Sequence, residues 1–471
     1  MKRQLLFPVA LLTLLSCMTL AFAPIIHAET RAVRISRSCI LPNQTDVKMG
    51  TLEGANYLIS VPSNWNGTLV LYSHGYVFPG QPLVAQDAGD PLTEAALLQH
   101  GYALAGSSYS QNGWALQQAF HDQITLLNYF NSICGHPTRT IAWGHSLGGI
   151  ITAGLVQLYS NRFAGALPMC GVLAGGVGTW NQALDSAYAF DVLLAGNTLP
   201  IVHLTDPTSA YNQAITILNQ AQGTPQGRAR ISLAAALSDI PGWFTTGSPE
   251  PGSKDYAAQE QNQFLWESQV DFLFAFFARA ELEARAGGNL SWNTGVDYRD
   301  QLEKSASSSE VVALYKQAGL NLDKDLKALN AAPRIKADSG AVRYLNKYIT
   351  FNGDLNIPVL TMHTTGDGLV VNQDEQSYAS IVGFRGDSNL LRQVFIHRAG
   401  HCAFTPAETV SAFQTLINRL NTGKWDDSTN PTLLNQEAAA LGSTLNTAPA
   451  SFISYQPSAF LRPFVNRVRD N

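Results

Sequence analysis

Short apolar runs alternate with amphipathic helical patterns along most of the chain. Several of these runs are continuously apolar, which is typical of strands that are buried on both faces of a sheet. Between them, residues 91–100 and 115–132 have helical periodicity, and the first of these segments ends at Gly101, a residue suited to a left-handed helix cap. This order predicts a mostly parallel, twisted sheet with helices on both faces. The seven predicted strands are 56–61, 68–73, 102–107, 140–144, 164–169, 358–363 and 393–397.

The alternation stops near Gly175 and resumes near Leu355. The segment between them is helical by pattern, most clearly at 259–286, where Phe272 and Phe276 belong to a wide apolar stripe. Turn-forming residues at both ends mark where this insertion leaves and rejoins the sheet. Its aromatic residues are expected mainly to pack its own core, with one or two lining a pocket. The predicted organisation is a signal at 1–28, a sheet domain at 29–174 and 353–425, a helical cap at 175–352, and a tail at 426–471 that packs on the sheet domain.

The N-terminus has the layout of an export signal. Lys2 and Arg3 precede an uncharged apolar run at 5–26, and cleavage is predicted after Ala28. Two alternatives remain, because the run is long enough to stay as a membrane anchor and Cys17 suits a lipidation site. No later run has comparable length. We therefore expect a secreted or cell-envelope protein without stable membrane insertion.

The amino-acid composition argues against two classes of protein, disordered chains and nucleic-acid-binding proteins. The chain has 471 residues, 45% of them hydrophobic, and a formal net charge of -5. Such a chain has enough apolar side chains to form a core, so disorder is not expected. Lysine and arginine are scattered rather than clustered on one stretch, so no nucleic-acid partner is expected.

Four cysteines follow the predicted signal, namely Cys39, Cys134, Cys170 and Cys402. An even number in an exported chain favours two disulfides, for which three connectivities are possible. Free buried thiols are the alternative, since cysteine is often found in protein interiors. No pair has the close Cys/His spacing of a zinc site, so neither a metal nor a cofactor is expected.

The sharpest local pattern is Gly-His-Ser-Leu-Gly-Gly at 144–149, between a predicted strand and a helical run. A serine on a tight strand-to-helix turn needs small neighbours, and Gly144 and Gly148 provide them. The turn directs the Leu147 N–H toward whatever the Ser146 hydroxyl attacks. The helix N-terminus also favours a negative charge that develops there.

Three further patterns follow predicted strands in the same way. Ser-His-Gly-Tyr ends an early strand, and a backbone N–H near Tyr76 is a candidate second donor to an oxyanion. Asp367 and His401 lie just after two later strands. Because the carboxyl ends of parallel strands meet at one edge of a sheet, we expect Ser146, Asp367 and His401 to converge there.

Other side chains compete for the roles of acid and base. His397 is an alternative to His401, but it still belongs to its strand, and His74 is expected to organise its own loop. The alternatives to Asp367 lie before the strand or a turn beyond its end, and they are Asp354, Asp374 and Glu375. The histidines that are expected to be structural are His100, His121, His136, His203 and His363.

With these motifs the sequence resembles the α/β-hydrolase superfamily, over roughly 50–174 and 353–421. The resemblance implies an α/β-hydrolase fold with a large helical cap inserted before the acid, and a catalytic triad of Ser146, Asp367 and His401. The oxyanion loop departs from the pattern of many lipases, because it reads His-Gly-Tyr instead of His-Gly-Gly-Gly.

The resemblance also implies a disulfide pairing. Tannases and feruloyl esterases of this superfamily bridge cysteines beside the serine and the histidine. Here Cys402 follows the histidine, whereas another histidine precedes the serine. The implied partner is therefore Cys170, after the strand next to the nucleophile's, which leaves Cys39 with Cys134.

The resulting prediction is a secreted serine hydrolase that cleaves a small-molecule or oligomeric carboxylic ester through an acyl-enzyme. Tyr76 and Trp114 are expected to line its substrate pocket. An amidase or exported peptidase with the same triad is the alternative. Such peptidases usually carry a Gly-Gly-Pro-Gly oxyanion loop and an acidic cluster for a free amine, and the sequence indicates neither. A binding protein on an inactive hydrolase scaffold is the third hypothesis, and the order of the three triad residues argues against it.

Overall fold

The computed structural model describes residues 39–464. The predicted export signal, with its alternatives at 5–26 and Cys17, lies outside these residues. Nine described strands form one sheet in the order β1-β2-β4-β3-β5-β6-β7-β8-β9. The strands are β1 (Asp46–Leu52), β2 (Ala55–Val61), β3 (Thr68–Ser73), β4 (Ala103–Ser107), β5 (Arg139–His145), β6 (Gly165–Met169), β7 (Val359–Gly366), β8 (Leu391–Ala399) and β9 (Phe452–Ile453).

The six strands from β4 to β8 in the sheet order pair in parallel, while β2 is antiparallel to both β1 and β4. All seven strands predicted from the sequence are confirmed. The two that were missed are the edge strands β1 and β9. β1 exposes Val47 and Met49 to solvent, and β9 has two residues, so neither has the apolar run that marks a buried strand.

Fifteen α-helices are described, together with a 3-10 turn at Ser160–Arg162 and π-helical segments at Asp191–Ala195, Glu267–Asp271 and Phe274–Ala278. Helices α4 to α12 all lie between β6 and β7. The helices are α1 (Pro91–Gln99), α2 (Leu116–Cys134), α3 (Leu147–Leu158), α4 (Gly175–Phe190), α5 (Pro207–Gln222), α6 (Pro225–Ala236), α7 (Tyr256–Trp266), α8 (Arg279–Ala286), α9 (Tyr298–Lys304), α10 (Ser308–Gln317), α11 (Leu322–Ala331), α12 (Ser339–Lys347), α13 (Gln373–Arg385), α14 (Pro406–Thr422) and α15 (Pro431–Ala440).

The sheet is covered on both faces because its strands alternate two sets of apolar side chains. Leu69 and Leu71 of β3 belong to the core that includes α2, α3 and α13. Val70 and Tyr72, which point to the other face, belong to the core that includes α1, α14 and α15. This arrangement explains why the central strands are continuously apolar in sequence.

The helices between β6 and β7 have an apolar core of their own. Phe272 and Phe276 of the predicted 259–286 stripe are buried there, against residues of α4, α6 and α10 such as Leu184, Leu233 and Val311. Most of 259–286 is helical, with π-helical turns between α7 and α8. We call the segment from α4 to α12 the cap. Its residues and those of the loops after β3, β5 and β7 line one cavity.

The C-terminal tail, described to residue 464, contacts both the sheet and the cap. β9 pairs with β8, Phe460 is buried beside Ala174, and the Arg462 guanidinium forms an ion pair with Asp185 of α4. Arg462 also donates to the Trp292 carbonyl at 2.7 Å. Within residues 39–464 no helix is both long and apolar enough to cross a membrane.

Candidate active site

Ser146 occupies the turn between β5 and α3 in a conformation that few non-glycine residues adopt. Its φ is +58° and its ψ is −121°. The two glycines of the motif allow this turn, because the backbone of Ser73 approaches both of them. A Cβ atom at Gly148 would lie 1.9 Å from the Ser73 carbonyl oxygen, and one at Gly144 would lie 2.4 Å from it. Neither position admits a side chain, as the motif predicted.

The three predicted triad residues are in hydrogen-bonding contact. His401 Nε2 lies 2.8 Å from Ser146 Oγ, and His401 Nδ1 lies 2.7 Å from Asp367 Oδ2. Asp367 follows β7, His401 follows β8 and Ser146 follows β5, so the carboxyl edge of the parallel sheet gathers all three. This is the arrangement in which a histidine takes a proton from a serine and a carboxylate orients the histidine.

The environment of Asp367 keeps it ionised although it is completely buried. Burial alone would raise the pKa of this carboxyl, but the charges and hydrogen bonds of His401 and His363 outweigh burial and hold the pKa below its usual value. Asp367 Oδ1 also accepts the N–H groups of Leu369 and Val370, each at 3.1 Å. A carboxylate held in this way is a permanent acceptor for the histidine.

The competing residues are engaged elsewhere. His397 is 43% exposed and faces Glu250 at 3.6 Å, away from Ser146. Asp354 forms an ion pair with Arg385 at 3.3 Å. The other two acids, Asp374 and Glu375, are buried on α13 and do not contact His401.

A disulfide joins Cys170, just after β6, to Cys402, the neighbour of His401. The second disulfide joins Cys39 to Cys134 at the end of α2. Both pairings implied by the resemblance are therefore confirmed. The first bridge cross-links the His401 turn to the strand that lies beside the serine's strand in the sheet.

The early loop with Tyr76 approaches the serine closely. A Cβ atom at Gly75 would lie 3.4 Å from the Ser146 Cβ. His74 is buried and stacks on Tyr109 at 4.1 Å, and its Nδ1 donates to the Gly75 carbonyl at 2.7 Å. Burial lowers the pKa of His74, so it stays neutral and organises this loop.

Leu147 begins α3, so its N–H has no carbonyl one turn earlier to accept it. Tyr76 and Leu147 both line the cavity into which Ser146 opens. Their N–H groups are the two candidate donors to an oxyanion at that point.

The cavity next to Ser146 is partly open, with the sheet loops on one side and the cap on the other. Its internal volume is about 100 Å³, and its lining is largely apolar. Tyr76 and Trp114, the two predicted wall residues, both line it. The Trp114 N–H donates to Glu281 of α8 at 2.9 Å, which fixes this loop against the cap. The aromatic residues of the lining are Tyr76, Trp114, Trp180, Phe272 and Phe274.

No protein-family model matches the sequence. A curated relative, o-phthalyl amidase from Xanthobacter agilis, is 30% identical to this chain over 426 residues, which are 82% of this chain and 90% of the relative. The chain belongs to the family of this amidase, and its sheet order and the placement of Ser146, Asp367 and His401 are those of an α/β-hydrolase.

Solved structures similar to this α/β-hydrolase include an esterase from Aspergillus oryzae. It is 13% identical, with 80% of this chain and 79% of that chain covered and a TM-score of 0.42. Feruloyl esterase B from Aspergillus oryzae is 14% identical, with 79% and 80% covered and a TM-score of 0.40.

Two acidic side chains of this α/β-hydrolase also line the cavity, and the sequence analysis did not predict them there. Asp271, from the cap, has a pKa well above its usual value because of burial and the nearby charges of Glu267 and Asp367. Burial raises the pKa of Asp374 to about 7, although Asp374 accepts the Ala174 N–H at 2.8 Å. One oxygen of each carboxyl has no hydrogen-bond partner among the described residues. In the sequence, Asp271 is one of several acids in the helical segment 259–286, and no local pattern marks it as a cavity residue.

His363, which the sequence predicts to be a structural histidine, lies beside the candidate acid. It is completely buried, and it lies 3.5 Å from Asp367 and 3.1 Å from Glu375. Its spacing of four residues from Asp367 was visible in the sequence. Its contact with Glu375 depends on how α13 packs against β7. Among the described residues, no group of His, Cys, Asp and Glu side chains has the arrangement of a metal site.

Proposed function

We propose that this α/β-hydrolase is a serine hydrolase that cleaves amides of an aromatic carboxylic acid, and the corresponding esters, through an acyl-enzyme. The observation that carries the proposal is the hydrogen-bonded chain from Ser146 through His401 to Asp367, which opens into an aromatic cavity. An enzyme of this kind needs a nucleophile, a base and a carboxylate in this order.

In the first half of the reaction His401 Nε2 takes the proton from Ser146 as its oxygen attacks the acyl carbon. The Leu147 and Tyr76 N–H groups are the proposed donors to the oxyanion that forms. His401 then returns the proton to the leaving nitrogen or oxygen, and Asp367 stabilises the imidazolium in between. Water repeats the same steps on the acyl-enzyme and releases the acid.

The cavity supports an aromatic acyl group. Its walls are mainly apolar and aromatic, and Trp114 and Trp180 pack edge to face with ring centroids 5.6 Å apart. A flat aromatic ring gains both burial and edge contacts in such a pocket. The name of the 30% identical relative, o-phthalyl amidase, also joins an aromatic acyl group to an amide bond.

Esters were the sequence prediction, and an esterase that does not cleave amides is the second candidate. The relative's activity favours amides. An amide places the greater demand on His401, because its leaving nitrogen must be protonated, and esters of the same acid have the easier leaving group. The proposal therefore expects both reactions, with the ester faster.

A matched pair of substrates tests the proposal. Benzoyl nitroanilide and nitrophenyl benzoate share one acyl group and differ in the bond that is cleaved. We expect turnover of both, and labelling of the protein by a fluorophosphonate that disappears in Ser146→Ala. Turnover of the ester alone would favour the second candidate. A folded protein that neither turns over the ester nor reacts with the fluorophosphonate would refute the hydrolase mechanism.

We infer that the protein acts outside the cytoplasm. Two disulfides support this inference, because such bonds persist in oxidising compartments, and the N-terminal pattern of charge and hydrophobicity agrees with it. Cell fractionation with N-terminal mass spectrometry tests it. We expect a mature chain that begins at Glu29, whereas an intact N-terminus in the cytoplasm would contradict the inference.

A further inference from the structure

The candidate acid Asp367 has a second histidine beside it, in addition to His401. His363 is on β7 and its side chain is completely buried. Its Nε2 lies 3.5 Å from Asp367 Oδ2, the same oxygen that accepts the hydrogen bond from His401 Nδ1 at 2.7 Å. One carboxylate oxygen therefore faces two imidazole rings.

The partners of His363 determine its protonation state. Its Nδ1 lies 3.1 Å from Glu375 Oε1 and its Nε2 lies 2.8 Å from the Val370 carbonyl oxygen. A carbonyl oxygen only accepts, and Glu375 already accepts from Thr361 and Gln393 through its other oxygen. A neutral imidazole has one N–H, whereas this site offers two acceptors, so the ring carries both protons.

The electrostatic environment of His363 also favours a ring that carries two protons. Burial by itself would lower the pKa of His363, but hydrogen bonds and charges from Asp367 and Glu375 outweigh burial and raise the pKa to about 10. His363 is thus a buried cation between two carboxylates. The Gln393 side chain, which also donates to the Glu375 carbonyl oxygen at 2.9 Å, ties this ion pair to β8.

We propose that His363 and Glu375 are positioning residues, a buried ion pair behind Asp367 that sets the charge experienced by His401 during proton transfer. The proposal rests on the role of the triad in the proposed function. Asp367 favours the charged form of His401, and the positive charge of His363 opposes it. Asp367 and Glu375 both stabilise the charged form of His363, and the negative charge of Glu375 offsets that positive charge at His401. Together they tune the strength of the base.

The remaining titratable groups around this chain are closer to neutral. Asp271 from the cap and Asp374 from α13 both have raised pKa values because of burial. On the other side, burial lowers the pKa of His145, which precedes Ser146, to about 4. The charges of this chain nearest to His401 are therefore those of Asp367, His363 and Glu375.

The test is the pH dependence of Ser146 labelling by a fluorophosphonate, whose acid limb reports the protonation of His401. In His363→Gln a positive charge is lost, so we expect the midpoint to move to higher pH by about one unit. In Glu375→Gln a negative charge is lost, so the midpoint should move to lower pH. The double variant loses both charges, and its midpoint should return close to that of the wild type.

A titration of the His401 ring by NMR in the same four proteins measures the same quantity without any reaction. A structural role alone would lower stability in both single variants and would not shift the two midpoints in opposite directions. Equal midpoints in the wild type and His363→Gln, or shifts of one sign in both single variants, would overturn the proposal.

The two tests separate the proposals. A wild-type protein that is not labelled would count against the hydrolase function, while its NMR titration would still decide the role of His363. Where His363→Gln does not fold, the comparison moves to Glu375→Gln and the double variant. The double variant must then titrate at a higher pH than Glu375→Gln, and equal midpoints would refute the inference.

Discussion

At the residue scale, Ser146 combines a strained backbone with a half-buried side chain whose hydroxyl contacts His401. Its N–H donates to the Met169 carbonyl at 3.0 Å and its carbonyl accepts the Gly149 N–H at 2.8 Å, so β6 and α3 hold the turn from two sides. A non-glycine residue with positive φ costs roughly 1–3 kcal/mol. That cost persists because the surrounding backbone leaves the turn no alternative. In return, the side chain projects from the sheet edge toward His401 and the cavity.

Substitutions of the triad residues should reduce the catalytic rate by amounts that are not additive. We expect Ser146→Ala and His401→Ala each to reduce kcat by on the order of 10^4-fold or more, because the three side chains act as a unit. Asp367→Asn should cost somewhat less, since its loss disturbs the tautomer of His401 and leaves the nucleophile in place.

Steady-state rates on nitrophenyl benzoate measure these losses, with circular dichroism as the check on folding. The matched control is Asp354→Asn, because Asp354 is an exposed acid that pairs only with Arg385 among the described residues. An Asp367→Asn variant as active as the wild type would assign the acid's role to another residue.

At the element scale, the two disulfides hold different parts of the fold. Cys170–Cys402 links the segment after β6 to the turn that carries His401. Cys39–Cys134 links the chain before β1 to the end of α2, and neither cysteine adjoins a triad residue in the sequence. The first bridge therefore constrains the geometry of the site and the second constrains the periphery of the sheet domain.

Removal of the first disulfide should lower activity, whereas removal of the second should lower stability alone. We expect the Cys170→Ala/Cys402→Ala variant to lose on the order of 10-fold or more in kcat/KM, because a small displacement of His401 breaks its alignment with Ser146. The Cys39→Ala/Cys134→Ala variant should keep kcat/KM and lose about 2–4 kcal/mol in free energy of unfolding.

Urea unfolding and steady-state kinetics on both variants measure these effects. The two variants are matched, since each loses one buried bridge and gains two alanines. Loss of activity from the Cys39–Cys134 variant at a temperature where it is folded would contradict the assignment of that bridge to the periphery.

At the scale of the whole molecule, several buried titratable side chains keep their protons to an unusually high pH. Burial raises the pKa values of Glu267 and Glu310 in the cap to about 8. The pKa of His363 is raised to about 10 by its two carboxylate partners, against the effect of burial. The folded protein therefore holds these protons at a pH where the unfolded chain has released them.

Stability should accordingly fall as pH rises. For the two glutamic acids the loss begins above the unfolded pKa near 4.5 and continues to about 8. The contribution of His363 is complete below 6.5 and is lost toward about 10. Below pH 4 stability should fall as well. The pKa of Asp367 is lower in the folded protein than in the unfolded chain, so acid protonates the unfolded chain first and favours unfolding.

Thermal unfolding from pH 3 to pH 10 checks this profile. We expect the highest Tm near pH 5 and a decrease of at least about 5 °C by pH 9. Glu267→Gln imitates the protonated side chain and should flatten the decrease between pH 5 and pH 8. A Tm that rises between pH 5 and pH 9 would contradict the prediction.

Part of the fold could be predicted because its signals are local. The buried strands are continuous apolar runs, and the turn at Ser146 is marked by Gly144 and Gly148, whose neighbours leave no room for a side chain. The edge strands β1 and β9 were missed because they pair through the backbone on one side and carry no such run. Pairing at a sheet edge depends on what lies beside the strand.

The sequence by itself determined the parallel sheet, the helical insertion and the order of Ser146, Asp367 and His401, because short-range periodicity and turn chemistry encode them. Only the tertiary structure decided which side chains surround the triad. Asp271 reaches the cavity because the cap folds over the sheet, and His363 meets Glu375 because α13 packs against β7. Each contact joins two elements whose relative position depends on the burial of whole apolar faces. The hydrophobic effect is not directional, so the sequence alone does not predict which side chains meet there.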